Sequence, residues 1–264
     1  MTALTTATSI AATQPHSAAS GPASLYKTAA WAALACVLVA LTDIILTFFP
    51  LGAGAPGELS AAGWFELFHQ NWFFGMRNLG LLPNILTMLL MLPLFLALYL
   101  SHREASRESA ALALIVSLLG TAVYLANNAA FPMLALSTRY FAATTGAQRA
   151  LLAAAGEAVL ARGEDFTAGA FPGLILGEVA FLAISLVMLR GGIFPGPAGI
   201  LGIVGGLLLG IFTIWSTFLP GDFAASMLIA MLGGLASIAW YVLTSRRLFQ
   251  LARELPAQPL LAHS

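Results

Sequence analysis

Asp43, Asn84, Asn127, Asn128 and Glu178 interrupt long apolar runs of the chain, and Arg77 opens one of those runs. Side chains of these types hold cations, form ion pairs and bind polar solutes. In lipid each is costly unless paired or hydrated, and such residues usually face a bundle interior. Their distances from the run ends put them at one depth. Asp43 precedes the end of its run at Phe49 by six residues, roughly 9 Å. Asn84 follows Arg77 by seven residues, Asn128 precedes Leu136 by eight, and Glu178 follows Phe171 by seven, roughly 10–12 Å in each case. The seven-residue spacing puts Arg77 on the helix face of Asn84, as a counter-charge for Asp43 or Glu178. Thr47 is one turn from Asp43, and Tyr124 one turn from Asn127 and Asn128. This layer is either a binding or transport site open to the outer side, or hydrogen-bonded glue that holds four helices together.

Other chemistries find no pattern in the chain. His16, His69, His102 and His263 are scattered, no pair has His-x-x-x-His spacing, and each reads as a surface residue. Cys36 lies in an apolar run with no metal-binding neighbour and reads as an inert apolar residue. There is no Gly-x-Ser-x-Gly elbow and no phosphate-binding Gly-x-x-x-x-Gly-Lys. The expectation is a protein with no catalytic site, no metal and no cofactor. Eleven Lys and Arg balance eleven Asp and Glu, so nucleic-acid binding has no electrostatic support.

The elements that carry these residues are membrane helices. Hydrophobic residues make up 59% of the chain and charged residues 8%, with a mean hydropathy of +0.90. A soluble domain carries roughly a quarter charged residues, so this chain cannot cover a soluble surface. Six apolar runs long enough to span a bilayer follow: Ala29 to Phe49, Arg77 to Leu100, Ala110 to Leu136, Phe171 to Leu189, Gly199 to Leu219 and Ala224 to Thr244. The first exceeds the roughly 7–15 apolar residues of a cleaved signal, so it reads as a span despite the small residues Ala53-Gly54-Ala55. The fold class is all-α, an integral six-helix bundle. Residues 1–26 read as a disordered tail, 27–250 as the transmembrane domain and 251–264 as a C-terminal tail.

Two connections are longer than the rest. Pro50 to Met76 is dense in aromatic residues, and Ser137 to Ala170 contains a short helix over Ala147 to Arg162. Both read as interfacial segments packed on the bundle rim. Lys27, Arg103, Arg107, Arg190, Arg246, Arg247 and Arg253 lie on one side, against Arg77, Arg139, Arg149 and Arg162 on the other. That bias places both termini in the cytoplasm of a cell with this protein in its inner membrane. Asp43 and Glu178 sit on the same side in the two halves, which argues against an inverted-repeat transporter.

Gly202, Gly206 and Gly210 recur every fourth residue and share one face of span five, and Ser226, Ala230 and Gly234 do so in span six. Such faces let helices approach closely. They fit the pairing of spans five and six, or an interface to a second copy or a membrane partner. Pro83 and Pro93 predict kinks in span two.

The stretch Gly75 to Leu86 (GMRNLGLLPNIL), the run Leu94 to Tyr99 (LFLALY) and Tyr124 to Asn128 (YLANN) resemble bacterial multi-pass membrane proteins of the domain-of-unknown-function 4386 type. The resemblance covers roughly residues 27–250. It implies a six-span bundle in a bacterial membrane and carries no catalytic residues. Two functions remain open: small-ligand binding or transport through the outer polar layer, or a non-catalytic membrane partner or sensor subunit in which that layer is structural.

Overall fold

A computed structural model describes residues 21–47, 59–219 and 223–254, without the side chains of residues 223 and 224. Among the described residues the chain is all-α. Six helical stretches are long and apolar enough to cross a membrane: Pro22–Thr47, Leu81–His102, Arg107–Ala142, Phe171–Gly191, Gly196–Phe218 and Ala225–Glu254. The helices are α1 (Pro22–Thr47), α2 (Ala61–Gln70), α3 (Trp72–Asn78), α4 (Thr87–His102, entered through a π-helical turn at Leu81–Leu86), α5 (Arg107–Asn127), α6 (Ala130–Ala142), α7 (Gly146–Gly163), α8 (Phe171–Gly191), α9 (Gly196–Phe218) and α10 (Phe223–Glu254).

The spanning helices close a ring. α1 packs on α4 and α10, α10 on α9, α9 on α8, α8 on α5, and α5 on α4, with α4 also touching α8 across the middle. The core of the ring buries Cys36, Phe95, Phe181, Ile184, Met188 and Trp240. Its outer surface exposes Trp31, Leu38, Leu112, Leu119, Leu207, Leu228 and Leu232. A belt of exposed apolar side chains this extensive belongs against lipid rather than water. The Ser245 hydroxyl donates to the Ala30 carbonyl at 2.9 Å, so the start of α1 and the end of α10 lie at the same end of the bundle.

The other end carries a helical cap. α6 packs on α7, α2 and α3, and α2 on α7 and α3. A second apolar core, with Trp64, Phe65, Phe68, Met76, Tyr124, Met133 and Leu160, joins this cap to the bundle. Glu157 of α7 accepts from the Ala61 N–H at 2.7 Å, at the open N-terminus of α2. Trp64, Phe65 and Phe68 of the aromatic connection are therefore interior to the cap, while Trp72 remains exposed; residues 50–58 of that connection lie outside the described residues.

Several boundaries differ from the sequence reading. α1 starts at Pro22, where the ring fixes a helical φ at the first position. Residues 22–26 of the expected tail are thus helical, and Tyr26 is buried; residues 1–20 lie outside the described residues. α10 runs on to Glu254 with Ala252 buried, so the expected C-terminal tail starts inside a helix; residues 255–264 are not described. Span three is two helices, broken at Asn128. His102 is fully buried rather than on the surface: a ring nitrogen contacts the Leu98 carbonyl at 2.8 Å and the ring stacks on Phe194. His69 is exposed as expected, and His16, His263 and residues 53–55 lie outside the described residues.

The Gly202, Gly206 and Gly210 face is occupied within the chain, by span four more than span six. A methyl group on Gly202 would strike Ser185 and Trp240, and one on Gly206 would come 2.9 Å from Leu182. Spans five and six do pack together, but through Gly205 against Ser237 and Gly233 against Leu208 and Leu209; Gly234 faces open space. Of the expected small-residue stripe of span six, Ser226 meets span five, its hydroxyl accepting from Ser216 at 3.3 Å, whereas Gly233 takes the place expected for Gly234.

Candidate functional site

Three local devices build the cap end of the bundle. The first is the entry to span two. The Asn71 side chain accepts from the N–H groups of Phe73 and Phe74, at 3.1 and 3.3 Å, and starts α3. Gly80 then takes φ +87°, a conformation that glycine adopts without strain. Pro83 has no N–H to donate, and the turn widens so that the Ile85 N–H reaches the Gly80 carbonyl at 2.8 Å. The break at Leu79 and Gly80 means that Arg77 and Asn84 do not share a helix face.

The second device is the end of α5. Asn128 is extended, with ψ 134°, and its side-chain oxygen accepts from the Ala130 N–H at 2.9 Å to start α6. The third is the end of α7. Gly163 sits so close to the Asn127 carbonyl that a side chain would collide with it, and its own carbonyl accepts from the Ala129 N–H at 2.9 Å. Phe166 follows at φ +64°, strained for a bulky residue. Together these turns drive Asp165 down into the bundle end, where it is 7% exposed.

Asp165 is the centre of a closed network. One carboxylate oxygen accepts from the Tyr124 hydroxyl at 2.6 Å, and the other from the Asn84 amide at 2.9 Å. The Asn128 amide donates to the Tyr124 oxygen at 3.0 Å and to the Leu79 carbonyl at 2.8 Å. A side chain on Gly80 would come 2.7 Å from Asp165 and collide with the Tyr124 hydroxyl. Burial pushes the Asp165 carboxyl up to about 6, with the hydrogen bonds from Tyr124 and Asn84 opposing that rise.

Arg77 forms a separate clasp on the end of α1. Its Nε donates to Asp43 at 2.8 Å, one terminal nitrogen donates to the Asp43 carbonyl at 2.9 Å and to the Thr47 hydroxyl, and the other donates to Asn78 at 2.9 Å. Asn127 serves a third cluster. It donates to the Gly169 carbonyl at 3.2 Å and accepts from Arg162 at 3.0 Å.

Glu178 stands apart. Among the described residues it has no hydrogen bond and no ion pair. It is half-buried on the face of α8 that meets α9. On that face three levels repeat every turn: Gly210 opposite Glu178, Gly206 opposite Leu182, and Gly202 opposite Ser185. Tyr241 lies within electrostatic reach of both Glu178 and Cys36.

The structure therefore joins Asp43 with Arg77, and Asn84 with Asn128. It hands Asn127 to Arg162 and leaves Glu178 alone. The centre of the largest network, Asp165, is absent from the sequence-derived set, as is Arg162. Both lie in the second long connection. An Arg-Gly-Glu-Asp run in a chain this poor in charge was the available signal. No protein-family model matches the chain, and comparison with curated proteins and with solved structures finds no match.

Proposed function

We infer that this chain is a non-enzymatic protein of the bacterial inner membrane that binds or moves a small cationic solute at Glu178. The observation that carries this reading is the contrast between Glu178 and the other polar groups of the spans. Asp43 has Arg77, Asn84 and Asn128 share the Asp165–Tyr124 network, and Asn127 has Arg162. Their bonding capacity is spent on holding α1, α4, α5 and the cap together, which supports a structural role for them. A carboxylate without a partner inside a span is a functional site by default. Across the helix interface from it stands Gly210, where an added methyl group would meet the Glu178 Cβ at 3.9 Å.

The orientation rests on the basic residues. The seven on the end opposite the cap favour a cytoplasmic placement of that end and of both termini, so the cap faces outward. Kinship with the domain-of-unknown-function 4386 type is part of the same reading. Two of the stretches that carry the resemblance, Gly75 to Leu86 and Tyr124 to Asn128, supply Asn84, Tyr124 and Asn128 of the network.

The test is cation uptake by purified protein in liposomes, with sodium, methylammonium and protons as probes. Wild-type protein should move at least one of them, and Glu178→Gln should return the rate to that of empty vesicles. An empty-vesicle rate for wild type with every probe, or full activity in Glu178→Gln, sinks the reading.

A further inference from the structure

Among the described residues the bundle core contains polar atoms with no hydrogen-bond partner, and two of them, on Ser185 and Trp240, meet at one seam. The Ser185 hydroxyl, the Trp240 indole nitrogen and the Thr244 hydroxyl are all buried and unpartnered. Ser185 and Trp240 meet at Gly202, where a methyl group would strike the first and come 2.7 Å from the indole nitrogen of the second. Buried polar groups are nearly always satisfied, by protein or by water. A water molecule between Ser185 and Trp240 would serve both.

The same seam carries polar groups at further depths. α9 and α10 run antiparallel, with Gly205 opposite Ser237 and Gly202 opposite Trp240. That register puts Thr244, four residues beyond Trp240, about 6 Å nearer the end opposite the cap. There the turn at Gly192 and the residues Pro195, Gly196 and Pro197 are exposed. In the other direction Glu178 lies seven residues before Ser185, about 10 Å nearer the cap. Thr213, buried, follows Gly210 along α9 toward the cap, and the Thr217 hydroxyl donates to its carbonyl at 2.7 Å. Between Glu178 and Ser185 stands one apolar level, Leu182 with Phe181, seated on Gly206.

We propose that the α8–α9–α10 seam is a proton route across the bundle, with Glu178, Ser185 and Thr244 at successive depths and Leu182 as a hydrophobic gate between the first two. The proposal rests on the assignment of Glu178 as the functional carboxylate and names the cation as the proton. The Glu178 carboxylate takes a proton from water on the cap side, becomes the acid, and gives the same proton to water beyond the gate. Each hydroxyl takes up a proton along the hydrogen bond it accepts as it gives its own proton onward, so it is unchanged after it turns. Trp240 only donates, so it orients the oxygen beside Ser185 and passes nothing itself. Leu182 excludes water until that level wets, as constrictions in channels do. Tyr241 and Cys36 are the titratable groups that share this part of the core with Glu178.

The experiment is proton flux into liposomes holding a trapped pH dye, driven by a potassium diffusion potential. Ser185→Ala should lower the flux at least five-fold, and Leu182→Ser should raise it several-fold. Leu182→Ser combined with Glu178→Gln should abolish the gain. A gain that survives in the double variant is a leak, and it overturns the route. So does a flux unchanged by both single substitutions. Sodium or methylammonium uptake that depends on Glu178, with no proton flux, overturns the route and leaves the cation site standing. No flux of any probe removes both.

Discussion

Gly210 and Glu178 face each other across the α8–α9 interface: a methyl group on Gly210 would sit 3.9 Å from the Glu178 Cβ, in ordinary contact. The four-residue repeat of glycines in span five is thus matched, level by level, to Glu178, Leu182 and Ser185 in span four. Helix approach and the placement of an unpaired carboxylate are one feature of the fold.

That matching sets the first prediction. Gly206→Leu pushes a bulky side chain against Leu182 and Phe181, where even a methyl group is 2.9 Å from its nearest neighbour. Overpacking of this kind costs about 1–3 kcal/mol. Thermal unfolding in detergent should show a melting temperature several degrees lower, whereas Leu207→Ile, at a lipid-facing position 51% exposed, should leave it unchanged. Equal melting of the two variants contradicts the α8–α9 packing.

Arg77 holds the end of span one through several groups at once. Arg77→Ala strands the Asp43 carboxylate, its backbone carbonyl and Thr47 together. Breaking a buried pair by removing one member costs about 3–5 kcal/mol, and the partial exposure of this pair puts it at the low end. Asp43→Asn keeps an acceptor for Arg77 and should cost less. The comparison is made by thermal unfolding of the two variants, and a larger loss in Asp43→Asn argues against the clasp.

Asp165 predicts a pH dependence. In the folded protein its carboxyl is raised from 3.8 to about 6, by burial first and by the nearby Glu164 and Asp43 charges after it. Between those values the folded state holds a proton that the unfolded chain has lost. Stability therefore falls as pH rises through that window, by on the order of 3 kcal/mol. Asp165→Asn should flatten this slope in melting curves recorded from pH 4 to pH 7. A slope of the same size in the variant assigns the titration to another group.

Much of this architecture is legible in the residues. Each spanning helix announces itself as an apolar run, and shared depth offers Arg77 either Asp43 or Glu178, of which the structure takes Asp43. The partner of Asn84 is not legible that way. It is Asp165, delivered by a turn at Gly163 and a strained Phe166, and local backbone geometry of that kind leaves no periodic trace. The same holds for the break at Asn128, because an asparagine in an apolar run reads as a polar residue inside a helix. Shared depth also overstated convergence. It locates a residue along the bundle and says nothing of the face it occupies, which is why Glu178 joined the set although it looks toward α9.

Topology offers a further check. With both termini in the cytoplasm, reporter fusions after Ser109 and after Arg247 should both report cytoplasm. Reporters on opposite sides of the membrane at these two points contradict the six-span arrangement.

The central claim is that the half-buried Glu178 is free to bind, whereas Asp43 is held by Arg77. A hydrophobic carbodiimide enters the bilayer and reacts with carboxyl groups that no cation or donor occupies. Intact protein in liposomes is treated with it, digested, and mapped by mass spectrometry. The account predicts modification of Glu178, with Asp43 shielded by Arg77 and little adduct there. Adduct on Asp43 with none on Glu178 would contradict it.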